Sequence, residues 1–223
     1  MNSRTVLITG GARGIGAAIS RALAAQGNLI IAPARSDLDL SDLSSVEAWI
    51  SKNHELPIDI LINNAGINIL NPIASITIAS WQSMLQTNLT SAMLLIQAFA
   101  PAMETQRWGR ILNISTIFSM VTKERRAAYS MTKAALNALT RSAAVEYGPS
   151  GILVNALAPG YVDTELTRQN NSLEALGAIT STIPLRRMAE PEELALAAAF
   201  LVSEQNSYLT GQIIAVDGGL TCL

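Results

Sequence analysis

Tyr129-Ser130-Met131-Thr132-Lys133 sets a phenol and an ammonium four residues apart. On a helix this spacing puts both side chains on one face, one turn apart. A phenol with an ordinary pKa of about 10 exchanges protons poorly at neutral pH, and a cation held beside it favours the phenolate. The pair is therefore suited to move a proton to or from an oxygen. A solvated surface pair has the same spacing, so the surrounding elements decide what it does.

A second group of residues handles anions. Thr9-Gly10-Gly11-Ala12-Arg13-Gly14-Ile15-Gly16 follows an apolar run and opens an Ala-rich helical stretch. Glycines let a backbone approach a pyrophosphate, and a helix N-terminus offers amide donors and a positive dipole end. In this strand-to-helix context the loop predicts dinucleotide binding.

The elements that position these residues alternate. Apolar runs at Thr5–Thr9, Leu29–Ala32, Ile58–Asn63, Arg110–Ser115, Ile152–Ala156 and Ile213–Val216 read as strands. Helical patterns lie between them. Ala17–Gln26 stops at Gly27, a C′ glycine. Ser44-Ser45-Val46-Glu47 has capping-box form and opens a helix towards Asn53. Ala79–Thr105 and Ala128–Tyr147 are long, and Pro191-Glu192-Glu193 starts a last helix. Continuously apolar strands alternating with helices predict a parallel α/β sheet covered on both faces, a Rossmann-like doubly wound fold in three layers. After the second strand, Arg35-Ser36-Asp37-Leu38-Asp39-Leu40-Ser41-Asp42 leaves no room for the ten to twelve residues a parallel crossover needs. The crossover helix there is expected to be missing and the third strand absent or vestigial.

The chain has 223 residues and a formal net charge of −2. It reads as one domain, 1–223, without staples, repeats or linkers. The charge balance gives no footprint for nucleic acid or anionic membrane. The single cysteine, Cys222, cannot form an internal disulfide, which fits a reducing compartment. The longest apolar run, Leu194–Val202, falls far short of the roughly 20 residues of a membrane helix, and the first residues lack a signal-peptide core. The expectation is a cytoplasmic protein, with no metal site.

In order and approximate spacing, Thr9-Gly10 with Gly14 and Gly16, Asn63-Asn64-Ala65-Gly66, Asn88, Tyr129 with Lys133, Pro159-Gly160 and Asp217-Gly218-Gly219 resemble the motifs of the short-chain dehydrogenase/reductases. The resemblance spans nearly the whole chain and is strongest to the single-domain branch that includes 3-oxoacyl-(acyl-carrier-protein) reductase. It implies that Tyr129 is the general acid in carbonyl reduction and the base in alcohol oxidation. Lys133 would lower its pKa and bind the nicotinamide ribose, and Asn88 would hold a water in the proton relay. Asn88 sits inside a long helical pattern where an amide is a mediocre helix former and marks a kink. The family's remaining catalytic residue is a serine thirteen positions before the tyrosine. Here that count lands on Thr116, with Ser115 as its neighbour. Adjacent strand residues point to opposite faces, so one hydroxyl serves and not both. The register favours Thr116, and a one-residue slip would bring in Ser115.

The resemblance also implies which residues hold the cofactor: Gly10, Arg13, Gly14, Ile15 and Gly16 in the glycine loop, and Asn64, Ala65 and Gly66 at a strand end. Tyr129 and Lys133, then Pro159, Gly160, Val162 and Thr164, complete the nicotinamide side. An acidic residue closing the second strand would favour NAD. This chain has Ala34-Arg35 there, and Arg35 with Arg13 suits a 2′-phosphate, so NADP(H) is expected over NAD(H). Asp39-Leu40 matches the family's adenine-contacting step.

A substrate lid is expected over about 165–187. Leu166, Leu173, Leu176, Ile179 and Ile183 give it an apolar side, and Arg168, Arg186 and Arg187 make it positive. Lys123, Arg125 and Arg126 add charge near the mouth. The leading expectation is an NADP(H)-dependent oxidoreductase acting on a small carbonyl or secondary alcohol, as a homo-oligomer built on the two long Ala- and Leu-rich helices. The alternative is a non-catalytic dinucleotide-binding or scaffold protein on the same fold. An extended-branch nucleotide-sugar epimerase is disfavoured because the chain is too short for its substrate domain.

Overall fold

The computed structural model describes residues 3–169 and 171–222. Six strands form one parallel sheet: β1 (Thr5–Ile8), β2 (Leu29–Ile31), β3 (Ile60–Asn63), β4 (Gly109–Ile114), β5 (Ile152–Pro159) and β6 (Ile213–Val216), in the order β2-β1-β3-β4-β5-β6. Eight helices accompany them: α1 (Gly14–Ala25), α2 (Leu43–Asn53), α3 (Ile78–Leu85), α4 (Ser91–Gln106), α5 (Ala127–Tyr147), α6 (Glu165–Gln169), α7 (Leu173–Thr182) and α8 (Pro191–Leu201).

Strand alternation sorts the core into two layers. Val6 and Ile8 of β1, Ile60 and Ile62 of β3, and Leu112 and Ile114 of β4 pack with Ala18, Ile19 and Leu23 of α1 and Leu194 and Ala198 of α8. The intervening residues Leu7, Leu61 and Ile111 pack on the other face against Val46 and Trp49 of α2 and Leu95, Phe99 and Met103 of α4. Both faces are covered, which is why these strands read as unbroken apolar runs.

β2 is an outer strand, and only turns separate it from α2. The start of α2 differs from the expected box. Asp42 is the N-cap, its carboxylate accepting from Ser44 N at 3.0 Å, and Ser45 Oγ accepts from Asp39 N at 3.0 Å. The aspartate carboxylate takes one of the first free amides and leaves Ser44 inside the helix. α1 ends as expected, with Gly27 at φ 88° and its amide bonded to Ala24 O.

The long pattern over Ala79–Thr105 is not one regular helix. α3 and α4 join through a π turn at Gln86–Thr90, and Asn88 lies inside that turn. A single π turn bends a helix locally and re-aims its side chains, the distortion an amide at this position suggested.

Candidate active site

The C-terminal ends of β1, β3, β4 and β5 open onto one cleft of about 310 Å³. Most of the residues expected at the site line it: Gly10, Arg13, Gly14, Ile15, Gly16; Asn64, Ala65, Gly66; Thr116, Tyr129, Lys133; and Pro159, Gly160, Val162, Thr164. Five separate stretches of sequence therefore meet where a parallel sheet presents its strand ends, the usual ligand position in such sheets.

The glycine loop is held from below. Thr9 Oγ1 accepts from Asn64 N and Ala65 N, both at 3.0 Å, and Asn64 Nδ2 donates to Thr9 O at 2.9 Å and Gly10 O at 3.1 Å. Gly14 has φ 53°, a left-handed conformation that favours glycine. At the start of α1, Arg13 offers no side-chain cap, so the first amides of that helix face the cleft uncapped. Free amides, a positive dipole end and glycine surfaces without Cβ atoms fit an anionic pyrophosphate.

At Gly16 a Cβ would fall far inside van der Waals contact with Gly10 O and Asn64 Nδ2. Gly16→Ala is expected to lose about 1–3 kcal/mol of stability by overpacking and to weaken cofactor binding. Gly177, with nothing within 4 Å of an added Cβ, is the control: Gly177→Ala should be neutral or slightly stabilising. Chemical denaturation and a cofactor titration on both variants check this, and equal behaviour of the two would refute it.

The opposite end of the cleft is lined by residues at the end of β4 and on α5, with the π turn packed behind them. Lys133 is buried, its Nζ donating to Ile114 O at 2.7 Å, and desolvation lowers its pKa from 10.5 to about 8. Tyr129 is half-buried, and desolvation raises its phenol above 10, opposed by a hydrogen bond with the Thr116 side chain and by the Arg126 charge. The expected lowering of Tyr129 by Lys133 is not found in this structure. The ammonium is spent on a backbone carbonyl, and burial outweighs the remaining attractions. Gly66 lies against both Asn88 and Lys133: its Cβ would stand 3.2 Å from Asn88 Oδ1 and 3.3 Å from Lys133 Nζ.

Asn88 clamps the strand-end loop. Its Oδ1 accepts from Ile67 N at 2.8 Å, and its Nδ2 donates to Ile67 O at 2.9 Å and Thr132 Oγ1 at 3.1 Å. It thus satisfies buried backbone, and one lone pair of Oδ1 remains for a further donor.

Ser115 and Thr116 both border the cleft but differ in their partners. Ser115 Oγ donates to Asn137 Oδ1 at 2.6 Å, and Asn137 Nδ2 donates to Ser119 Oγ at 2.8 Å. The Thr116 hydroxyl meets Tyr129 and accepts from Phe118 N at 3.3 Å.

Three expected cofactor residues do not line the cleft. Leu40 is buried in the core under α4, where its carbonyl accepts from Ser91 Oγ at 2.9 Å. The Asp39 carboxylate accepts from Ser41 N at 2.9 Å and from Ser41 Oγ at 2.6 Å, which hold it below its ordinary pKa. Arg35 is exposed and pairs with Asp39 at 3.2 Å. The same short connection that removes a crossover folds these side chains onto one another.

Residues 165–187 carry α6 and α7, and Glu165 and Thr167 border the cleft. Ile179 and Ile183 are buried and Leu176 is half-buried; the side chains of Leu166 and Leu173 lie outside the described ones. The expected positive charge is largely cancelled. Arg168 grips Asp163 through two bonds of 2.7 Å, and Arg187 grips Glu193 at 2.6 and 2.7 Å, lowering that carboxyl to about 2.

Sequence reasoning missed several residues. Asn137 and the chain Asn63 to Asn113 to Thr140, with links of 2.9 Å, are buried amides and a hydroxyl beneath the site. For Asn137 and Thr140 the signal was polar residues recurring on an otherwise buried face of α5, and for Asn113 an amide inside the apolar run of β4, while Asn63 already stood in the quoted motif. Asn68 borders the cleft with its Oδ1 buried and unpartnered among the described residues, and its closeness to Asn64-Ala65-Gly66 in sequence was the available clue.

A family profile described as enoyl-(acyl carrier protein) reductase matches residues 32–221. The 3-oxoacyl-(acyl-carrier-protein) reductase of Aquifex aeolicus is 34% identical over 99% of both chains. Nodulation protein G of Azospirillum brasilense is also 34% identical, over 99% of both. Among solved structures, a putative NAD(P)-dependent gluconate 5-dehydrogenase from Beutenbergia cavernae with bound NADP superposes with a TM-score of 0.92 at 33% identity, over 100% of this chain and 98% of that one. A gluconate 5-dehydrogenase from Burkholderia cenocepacia in complex with NADP and tartrate gives 0.90 at 30% identity, over 100% and 97%. With a glycine-lined cleft that a tyrosine and a lysine border, and with relatives along its whole length, this chain belongs to the short-chain dehydrogenase/reductase family of oxidoreductases.

Proposed function

We propose that the protein is an NADP(H)-dependent reductase of a small carbonyl compound, or the reverse dehydrogenase. The observation that carries this reading is the meeting of Tyr129, Thr116 and Lys133 at the chemical end of the glycine-lined cleft. The nicotinamide, when bound, supplies or accepts the hydride.

The chain's own residues do the rest. The Thr116 hydroxyl orients the carbonyl oxygen beside the Tyr129 phenol, and the phenol passes its proton to that oxygen as charge develops there. The raised pKa of Tyr129 keeps the phenol protonated at neutral pH, which favours the reducing direction. Lys133 orients the ribose and, with Asn88 Oδ1, connects the phenol to a proton supply. The glycine loop and the uncapped start of α1 take the pyrophosphate. Arg13, paired with Glu165 at only 3.8 Å and largely exposed, is the cation in the cleft for a 2′-phosphate. NADP bound to two of the solved relatives supports this preference. Arg35 requires its Asp39 pair to open before it contributes.

NADPH oxidation over a panel of ketones tests the reading, with Thr116 variants as the site control. Thr116→Val is expected to lower kcat about 10²-fold, the cost of one donor to a developing oxyanion, while Thr116→Ser stays within about tenfold of the parent because it keeps the oxygen. No turnover of any ketone by a cofactor-binding protein favours the non-catalytic alternative. As a partner we propose a second copy of the chain, docked through exposed apolar residues of the central helices such as Met131 and Val145. No helix among the described residues is long and apolar enough to cross a membrane.

A further inference from the structure

Arg126 has no ion pair and no side-chain hydrogen bond among the described residues, although it is half-buried. Several other cations near the cleft are engaged, whereas Lys123 is exposed. Arg168 and Arg187 hold carboxylates, Arg13 pairs with Glu165, and Lys133 donates to Ile114 O. Arg125 reaches Leu70 O.

The position of Arg126 is set by rigid neighbours. Its guanidinium carbon stacks 4.2 Å over the Phe118 ring. Phe118 is nearly buried, its amide is held by Thr116 Oγ1 at 3.3 Å, and its ring meets Tyr161 edge-on at 6.0 Å. Thr116, which meets the Tyr129 phenol, therefore also fixes the platform under Arg126. The cation sits at the N-cap of α5, where the helix dipole opposes a positive charge. A stacked guanidinium keeps its edge free for a planar oxyanion, and that edge has no protein partner here. Arg126 stands three residues before Tyr129 at the start of α5 and stacks on the ring two residues after Thr116, so an anion taken by Arg126 lies close to the proposed reacting centre.

We propose that Arg126 anchors an oxyanion, a carboxylate or phosphate, carried by the carbonyl substrate, so that the enzyme selects acidic ketones or hydroxy acids over neutral ones. This rests on the reductase reading above and names its substrate class. Aromatic stacking fixes the plane of the guanidinium, and that plane fixes how far from Thr116 the anionic group sits.

The test uses the full-length protein with NADPH, oxo acids matched to their methyl esters, and phosphorylated ketones matched to their unphosphorylated forms. The parent enzyme is expected to prefer the charged member of at least one pair, and the pair that responds tells carboxylate from phosphate. Arg126→Met, which keeps an unbranched side chain over Phe118, should reduce the charged-to-neutral ratio of kcat/KM about 10²-fold through KM, with Arg126→Lys recovering part of it. A preference for neutral members, or an equal loss on both, overturns the proposal. Binding of malonate and of inorganic phosphate to the cofactor-loaded protein gives a readout independent of turnover. If no ketone is reduced but either anion binds the parent and not Arg126→Met, the anion site stands and the reductase reading falls. If neither anion distinguishes the two proteins, the anion site falls.

Discussion

Tyr129→Phe is expected to lose about 10²–10⁴-fold in kcat while cofactor affinity stays within a few-fold of the parent. Phenylalanine keeps the ring that packs at the start of α5 and removes the hydroxyl that would carry the proton. The glycine loop and the uncapped amides of α1, which hold the pyrophosphate in this reading, lie on other elements and are untouched. Single-turnover NADPH oxidation and a fluorescence titration of cofactor separate the two effects. Unchanged turnover would remove Tyr129 from the chemistry. The parent's pH profile carries the same information. Desolvation raises the phenol above its ordinary value. Reduction, which needs the protonated form, should be flat through neutral pH and decline only in alkali. Alcohol oxidation needs the phenolate and should rise with pH over the range in which reduction declines. Loss of both limbs in Tyr129→Phe identifies the titrating group.

Lys133→Met is expected to cost at least about 10²-fold in turnover and to change how stability depends on pH. Burial holds the folded-state pKa of Lys133 at about 8 against an ordinary 10.5. Below pH 8 the lysine is protonated in both folded and unfolded chains, and its contribution is flat. Between 8 and 10.5 the unfolded chain binds more protons, so the parent gains stability as pH rises, by up to about 3 kcal/mol. The methionine variant has no such gain. At neutral pH it is relieved of a buried charge but leaves Ile114 O without its donor, a loss of about 1–3 kcal/mol, so the two proteins should unfold at similar denaturant concentrations. Urea unfolding at pH 7.5 and pH 10 measures the difference. Equal slopes in the two proteins would show that Lys133 does not titrate in this window.

The two variants probe different parts of one argument. In the proposed reaction Tyr129 carries the proton, whereas Lys133 is a buried charge that the fold tolerates at a cost. A lysine spaced for a tyrosine, yet bonded to a backbone carbonyl and stripped of water, is a site in which stability is given up for position. Thr116 belongs with them. Its side chain acts on the Tyr129 phenol and caps the short turn that carries Phe118, so the proposed proton donor and the platform for Arg126 share one neighbour.

Much of this was legible without coordinates, because it depended on local rules. The strands were readable because residues buried on both faces must all be apolar, as Leu7 and Ile8 are on opposite sides of β1. The glycine loop was readable because the left-handed backbone of Gly14 favours glycine and the contact at Gly16 leaves no room for a Cβ. The distortion at Asn88 and the spacing of Tyr129 and Lys133 followed from helix geometry. Tertiary structure decided which partners polar groups choose, and that depends on residues far apart in sequence. Lys133 meets Ile114 O rather than only its neighbour in the helix. Ser115 is drawn to Asn137, and Arg35 folds back onto Asp39 and leaves the cleft. Composition counted Arg168, Arg187 and Arg126 as equal positive charges; the fold neutralised two and left the third half-buried and unpaired among the described residues. Spacing along a chain determines which side chains share a face, whereas electrostatics and desolvation act through space.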